Sequence, residues 1–303
     1  MISVVIPTRN RQRFVRELVD SLLAGSKVPD EIVVVDQSDE TAAALAAMTT
    51  EKRCSIVYRH SRLRGSSAAR NEGIRTARGD VVAFLDDDII VTPSWLATVT
   101  ETLAEEDPRT VVTGRVHSGE PETEGGFAPS LKIDVRRARY EGRAAANVLW
   151  TNNMAMPRSA VEEVGFFDER LGPGTRRFPG GGEDNDFCFR LLEAGHRIVY
   201  EPRALVLHRA WRPKRDYVGL RWRYGRGQGG FYGKHLSLRD RYILNELIGQ
   251  VVRLGADAAR DAFARPRVAL GSAAYAAGIV TAAAEWLITQ RLLRTGRGGA
   301  LGN

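Results

Sequence analysis

The apolar run Val81-Val82-Ala83-Phe84-Leu85 drives straight into three carboxylates, Asp86-Asp87-Asp88, and turns apolar again at Ile89-Ile90. A short apolar run of this kind reads as a buried strand. Unpaired carboxylates cost too much to bury, so a strand ending in them must deliver them to a cleft or to solvent. Acids fixed at a strand end suit a divalent cation, because hard cations such as Mg²⁺ take oxygen ligands. A solvated acidic turn is the plain alternative, and the rest of the chain has to decide.

Residues 2–6 form a β-branched run stopped by Pro7, followed by the polar loop Thr8-Arg9-Asn10-Arg11. Phe14, Leu18, Leu22 and Leu23 recur at helical spacing. Residues 31–35 then read as a second strand, ending in Asp36-Gln37-Ser38-Asp39. That is a βαβ unit, and sheets built this way bind ligands outside the carboxyl ends of their strands. Residues 41–48 read as a helix and 55–58 as a third strand. Arg64-Gly65-Ser66-Ser67-Ala68-Ala69-Arg70-Asn71 is a small-residue loop opening a helix, and it is neither a Walker loop nor GxGxxG. Phosphate reception by backbone N–H groups and a simple cap by Ser66 or Ser67 both remain open there.

Further on, residues 93–103 read as a helix and 110–116 as a strand, while 117–142 lack any period and read as a long mobile insertion. Strand character returns over 148–156, and 159–164 is a short helix. Gly180-Gly181-Gly182 gives the backbone freedom for a lid, and Glu183 and Asp184 open the following helix. Acids in a first turn also suit the helix dipole, so capping and chemistry stay open for that pair. Residues 197–200 and 204–208 read as the last two strands, the second closing on His208, a position where a packed side chain is the commoner role.

Composition excludes a disordered chain: of 303 residues, 43% are hydrophobic and 27% charged. Cys54 and Cys188 form no metal-type pairing and read as buried thiols. The first residues have no basic stretch leading into a long apolar core, so the expectation is a cytoplasmic protein, peripheral at the inner face of the membrane if it touches one. The net charge of +7 is concentrated after residue 203, which points to an anionic partner.

The motifs occur in a telling order: Val-Val-Ile-Pro-Thr-Arg-Asn at 4–10, Val-Val-Val-Asp at 33–36, Gly-Ser-Ser-Ala-Ala-Arg-Asn-x-Gly at 65–73, Phe-Leu-Asp-Asp-Asp at 84–88 and Gly-Gly-Glu-Asp-x-Asp at 181–186. Together they closely resemble the family 2 glycosyltransferases over residues 1–211. The resemblance implies an α/β, Rossmann-like GT-A fold over 1–211, with a mixed sheet flanked by helices; residues 212–303 read as a separate basic, aromatic and helical region. It implies inverting transfer from a nucleotide-diphosphate sugar to a sugar, lipid-linked or other hydroxyl acceptor, with Mn²⁺ or Mg²⁺ as the divalent metal. By that resemblance Pro7, Thr8 and Arg9 lie against the base, Asp36 holds base or ribose, and Arg70 and Asn71 face the nucleotide. Asp86 and Asp88 match the two acids of a DxD motif, Asp88 as the direct metal ligand and Asp86 nearer the ribose, with Asp87 in the variable middle. His208 matches a histidine completing the metal site. Asp184, beside Glu183, matches the catalytic base, Asn152 and Asn153 the sugar pocket, and Trp211 the acceptor side.

Beyond residue 211, Trp222-Arg223-Tyr224-Gly225-Arg226-Gly227-Gln228-Gly229-Gly230-Phe231-Tyr232 mixes cations, rings and glycines. Diphosphate or lipid-phosphate acceptor binding, or membrane-surface contact, is favoured there over nucleic acid. Residues 242–294 read as two or three helices, and the uncharged stretch 268–284 is Ala-rich and a poor membrane span. Packing on the catalytic domain, on a second copy or on a bilayer surface explains it better, and Arg291, Arg294 and Arg297 suit the last. The competing reading of the whole chain is a non-catalytic nucleotide-sugar or anionic-polymer (RNA) binding protein. Intact acids at both sites count against it.

Overall fold

The computed structural model describes residues 1–48, 54–144 and 148–298. It forms two compact units: Met1–Asp168 with Phe187–Lys214, and Glu169–Asp186 with Arg215–Asn303. The Gly-rich segment before Glu183 therefore groups with the C-terminal helices, whereas the sequence reading placed it within 1–211.

In the first unit the strands β1 (Ile2–Thr8), β2 (Glu31–Asp36), β3 (Ser55–His60) and β4 (Val81–Leu85) alternate with helices α1 (Gln12–Leu23), α2 (Ala43–Ala46) and α3 (Ser66–Thr76). β1 pairs in parallel with β2 and β4, and β2 with β3. Both faces of these strands are covered, which is why they read as unbroken apolar runs. Val4 and Ile6 pack with Leu18 and Leu22 on one face, and Val5 and Phe84 with Ile74 on the other.

The chain continues through β5 (Ile89–Val91), α4 (Trp95–Glu105), β6 (Thr110–Ser118), β7 (Ala138–Tyr140), β8 (Asn153–Pro157), α5 (Arg158–Val164), α6 (Glu183–Glu193) and β9 (Arg197–His208). The sheet order is β3-β2-β1-β4-β8-β6-β9-β5, with β7 on β9. β8 runs antiparallel between β4 and β6, so the sheet is mixed, as expected.

Three expectations need correction. Residues 117–142 are tied into the sheet: Val116 and Lys132 exchange backbone hydrogen bonds, Phe127 and Arg212 do likewise, and β7 pairs with β9. The last two strands are one, β9, whose register against β6 shifts between Gly114 and Arg115. Helix α2 is a single turn rather than spanning 41–48, whose continuation at 49–53 lies outside the described residues.

The second unit contains α7 (Tyr217–His235), α8 (Tyr242–Asp261) and α9 (Pro266–Gly298). The glycine-rich stretch read as a basic patch is the interior of α7. A Cβ at Gly225 would lie 2.2 Å from the Tyr275 carbonyl oxygen of α9, and one at Gly229 2.3 Å from that of Ile279. A Cβ at Gly227 would meet the Gly181 carbonyl oxygen at 2.2 Å. The glycines thus let α7 touch backbone on two sides, which residues with side chains could not do. Arg226 is held within this unit as well, donating to the Arg177 carbonyl and to Glu285. Leu171, Phe178, Ala282 and Trp286 form a small core. Residues Pro266–Thr289 of α9 are long and apolar enough to cross a membrane by length and composition, with mean hydropathy 1.3, and 39% of that stretch is buried against protein. The core helix of a soluble protein passes the same test. The side chains of Arg291, Arg294 and Arg297 lie outside the described residues.

Candidate functional site

The acids after β4 sit where β1 and β4, side by side in the sheet, both end. Thr8 closes β1 and donates its hydroxyl to Asp87 Oδ2 at 2.7 Å. Arg11, at the start of α1, places Nη1 2.9 Å from Asp87 Oδ1 and 2.8 Å from Asp88 Oδ2. The antiparallel pairing of β5 with β9 sets Ile89 opposite His208 and brings His208 Nε2 to 3.2 Å from Asp88 Oδ1. The backbone N–H of Arg209 donates to the Asp88 carbonyl at 2.8 Å.

One ligand atom from each of Asp86, Asp88 and His208 lies within 4.8 Å of the others. Two carboxylates and an imidazole make a donor set that a divalent cation such as Mn²⁺ or Mg²⁺ accepts. Burial works against the Asp88 carboxylate, but the His208 hydrogen bond and charge, helped by Arg11, hold it below the usual range. Burial and the neighbouring Asp88 charge push Asp87 upward, against Arg11 and Thr8. His208 loses solvation on burial, yet Asp88 more than offsets this and raises its pKa above the ordinary value.

Asp86 is the most open of the three acids and accepts from Arg70 Nη2 at 2.8 Å. Arg70 is buried, with its guanidinium 5.8 Å from the Phe167 ring centre and ion-paired with Asp86. Several residues assigned to ligand pockets turn out to be engaged inside the protein. Asp87 has both oxygens taken by Thr8 and Arg11. Asp36 is fully buried, accepting from Ser38 at Oδ1 and from the Tyr58 hydroxyl at Oδ2, 2.9 Å away, so it shapes the loop beside Thr8. Asn71 exchanges hydrogen bonds of 2.9 Å with the backbone of Phe167. Asn153 receives the Trp95 indole N–H at 2.8 Å and donates to the carbonyls of Ala204 and Arg115, bridging the register shift between β6 and β9. A strand position opposite a register break needs such a donor, which explains an asparagine there without a sugar. Asn152, next to it, is buried with its Oδ1 lacking a hydrogen-bond partner. Pro7 lies in β1, Arg9 is exposed 3.5 Å from Asp39, and Trp211 is half-buried with its indole N–H on the Gly119 carbonyl at 3.2 Å.

Glu183 and Asp184 open α6 and belong to the second unit. The three preceding glycines all have left-handed φ, +92°, +133° and +88°, a path open to glycine alone at such values. Glu183 is buried and Asp184 half-buried, with Asp184 Oδ1 accepting the N–H of Asn185 at 2.9 Å. Asn185 donates onward to Gln228 Oε1 at 2.6 Å. Asp186, wholly buried, is paired with Lys234 Nζ at 2.6 Å and His235 Nε2 at 2.7 Å on α7. These contacts fix the start of α6. Arg11 was given no role from the sequence, because an arginine in a polar loop has no period, and Asp186 entered only as the last acid of the motif at 181–186.

The profile of the family described as glycosyl transferase family 2 matches residues 3–165. The chain belongs to glycosyl transferase family 2. A pre-mycofactocin glycosyltransferase of Mycobacterium tuberculosis is 32% identical to this family 2 chain over 233 residues, covering 74% of this chain. The match spans only 46% of that relative's length. A glucosyl-dolichyl phosphate glucuronosyltransferase of Haloferax volcanii is 26% identical, with 73% of each chain covered. The fold is shared with a mannosyltransferase of Pyrobaculum calidifontis solved in complex with GDP-Man and Mn²⁺, at a TM-score of 0.58 and 19% identity, over 100% of this chain and 81% of that one. The mixed sheet with flanking helices is the GT-A architecture that the sequence resemblance implied.

Proposed function

We propose that this protein is an inverting glycosyltransferase that moves a sugar from a nucleotide-diphosphate sugar to an acceptor hydroxyl. The observation that carries the reading is the convergence of Asp86, Asp88 and His208 at the end of β4 in a family 2 chain. Relatives that are glycosyltransferases, and a fold neighbour holding GDP-Man and Mn²⁺, support it.

Asp86, Asp88 and His208 would hold the cation, which when bound supplies positive charge against a leaving nucleoside diphosphate. Thr8 and Arg11 fix Asp87 and Asp88, and Arg70 fixes Asp86, so the carboxylates are oriented before any donor arrives. Preorganised charge of this kind needs no rearrangement during reaction. Asp184 takes the proton of the acceptor hydroxyl as general base. One displacement inverts the sugar. The acceptor is a hydroxyl compound of polysaccharide, glycolipid or glycoconjugate biosynthesis, met at the inner face of the membrane.

The test is transfer from UDP- and GDP-sugars to a panel of sugar and lipid-linked acceptors, with the anomeric configuration of the product read by NMR. An inverted product formed only with divalent metal supports the reading. A retained configuration overturns the single displacement, and salt-sensitive RNA binding with no donor use overturns the transferase.

A further inference from the structure

Arg11 is the one cation that contacts both buried acids of the 86–88 turn in the described structure. Its side chain is 36% exposed, whereas the Asp87 and Asp88 side chains are 8% and 7% exposed. The ring of Phe14, one turn along α1, lies 5.8 Å from it. Asp88 consequently has its oxygens divided, Oδ1 toward His208 and Oδ2 toward Arg11.

A divalent cation on Asp86, Asp88 and His208 would share Asp88 with Arg11. Two positive groups on one carboxylate repel each other; Asp87, 2.9 Å from Arg11, offsets part of the Arg11 charge, and a further anion beside them lowers the remaining repulsion, which burial leaves poorly screened. A diphosphate is such an anion, and a guanidinium is well suited to its oxygens. We infer that Arg11 couples the metal to the donor: it weakens the cation's hold on the nucleotide-free site and strengthens it once a nucleoside diphosphate is present. This inference rests on the metal reading above. Coupling of this kind is reciprocal, so the cation must tighten nucleotide binding by the same factor.

The experiment titrates Mn²⁺ into the full chain, reading free Mn²⁺ by electron paramagnetic resonance, without nucleotide and with saturating UDP or GDP. Wild type, Arg11→Gln and Arg11→Lys are compared. Without nucleotide, Arg11→Gln is expected to bind Mn²⁺ about tenfold more tightly than wild type, and the enhancement by nucleotide should shrink by about the same factor. Arg11→Lys keeps the charge without the planar fork, so it should fall between wild type and Arg11→Gln. Equal or weaker Mn²⁺ binding by Arg11→Gln overturns the coupling while leaving the metal site standing. So does Arg11→Lys behaving like Arg11→Gln. If no protein binds Mn²⁺ with or without nucleotide, the metal reading itself is wrong and the inference goes with it.

Discussion

His208 Nε2 lies 3.2 Å from Asp88 Oδ1, although 120 positions separate the two in the sequence numbering. The contact exists because β9 runs antiparallel to β5, with His208 opposite Ile89, the residue after Asp88. A histidine at the end of one strand and an acid before the start of another thereby become one site.

That pairing has a pH signature in the metal-free protein. His208 has its pKa raised by Asp88. A group whose folded pKa is raised stabilises the fold fully below its unfolded value, about 6.5 for histidine, and loses that contribution as pH rises through the folded value. The melting temperature of metal-free wild type relative to His208→Asn should therefore be highest under mildly acidic conditions and fall toward pH 8. With Mn²⁺ present the sign reverses, since the metal needs the neutral imidazole, and affinity should rise over the same window. Flat melting differences across this range would contradict the pairing.

Asp184→Asn separates base from binder. Donor binding, measured by calorimetry, should be unchanged, and transfer should drop by about 10²–10⁴-fold, the usual range for removing a general base. Retained transfer would remove Asp184 from that role.

Two residues along, Asp186→Asn should act on stability instead. The carboxylate is wholly buried between Lys234 and His235, so its removal takes the carboxylate from the Lys234 ion pair and from its contact with His235. Breaking one side of a buried ion pair costs about 3–5 kcal/mol, readable by chemical denaturation. A change below about 1 kcal/mol, the value of a surface pair, would show that the contact is not one.

The glycines of α7 and α8 offer a matched comparison. Gly225→Ala would set its methyl 2.2 Å from the Tyr275 carbonyl oxygen, whereas an alanine at Gly255 meets nothing within 4 Å. Overpacking should cost Gly225→Ala about 1–3 kcal/mol. Gly255→Ala, at an exposed helix interior, should gain up to about 1 kcal/mol from helix propensity. Equal effects at both positions would argue against the close approach of α7 to α9.

Much of this was legible in the sequence. The strand ending in Asp86-Asp87-Asp88 and the parallel β1, β2 and β4 follow from apolar runs broken by polar loops, and the order of motifs carried the fold. Helix α7 was not legible, because glycine has low helix propensity and the helix is held by packing instead. Strand β7 is three residues long, too short for alternation to show. Asn71 and Asn153 were placed by a resemblance, which gives positions and not partners. Their partners, the Phe167 backbone, Trp95 and Ala204, are remote in sequence and appear only once the sheet is assembled.

The most direct test of the central claim is a thermal-shift screen of nucleotide sugars with and without Mn²⁺ or Mg²⁺, on wild type and Asp88→Ala. A ligand that binds only the folded state raises stability by RT ln(1 + [L]/Kd), about 2.7 kcal/mol at a hundredfold excess over Kd. The account expects at least one donor to raise the melting temperature of wild type only when metal is present, and the effect to vanish in Asp88→Ala. A donor shift that survives in Asp88→Ala, or no shift with any nucleotide sugar and metal, would contradict it.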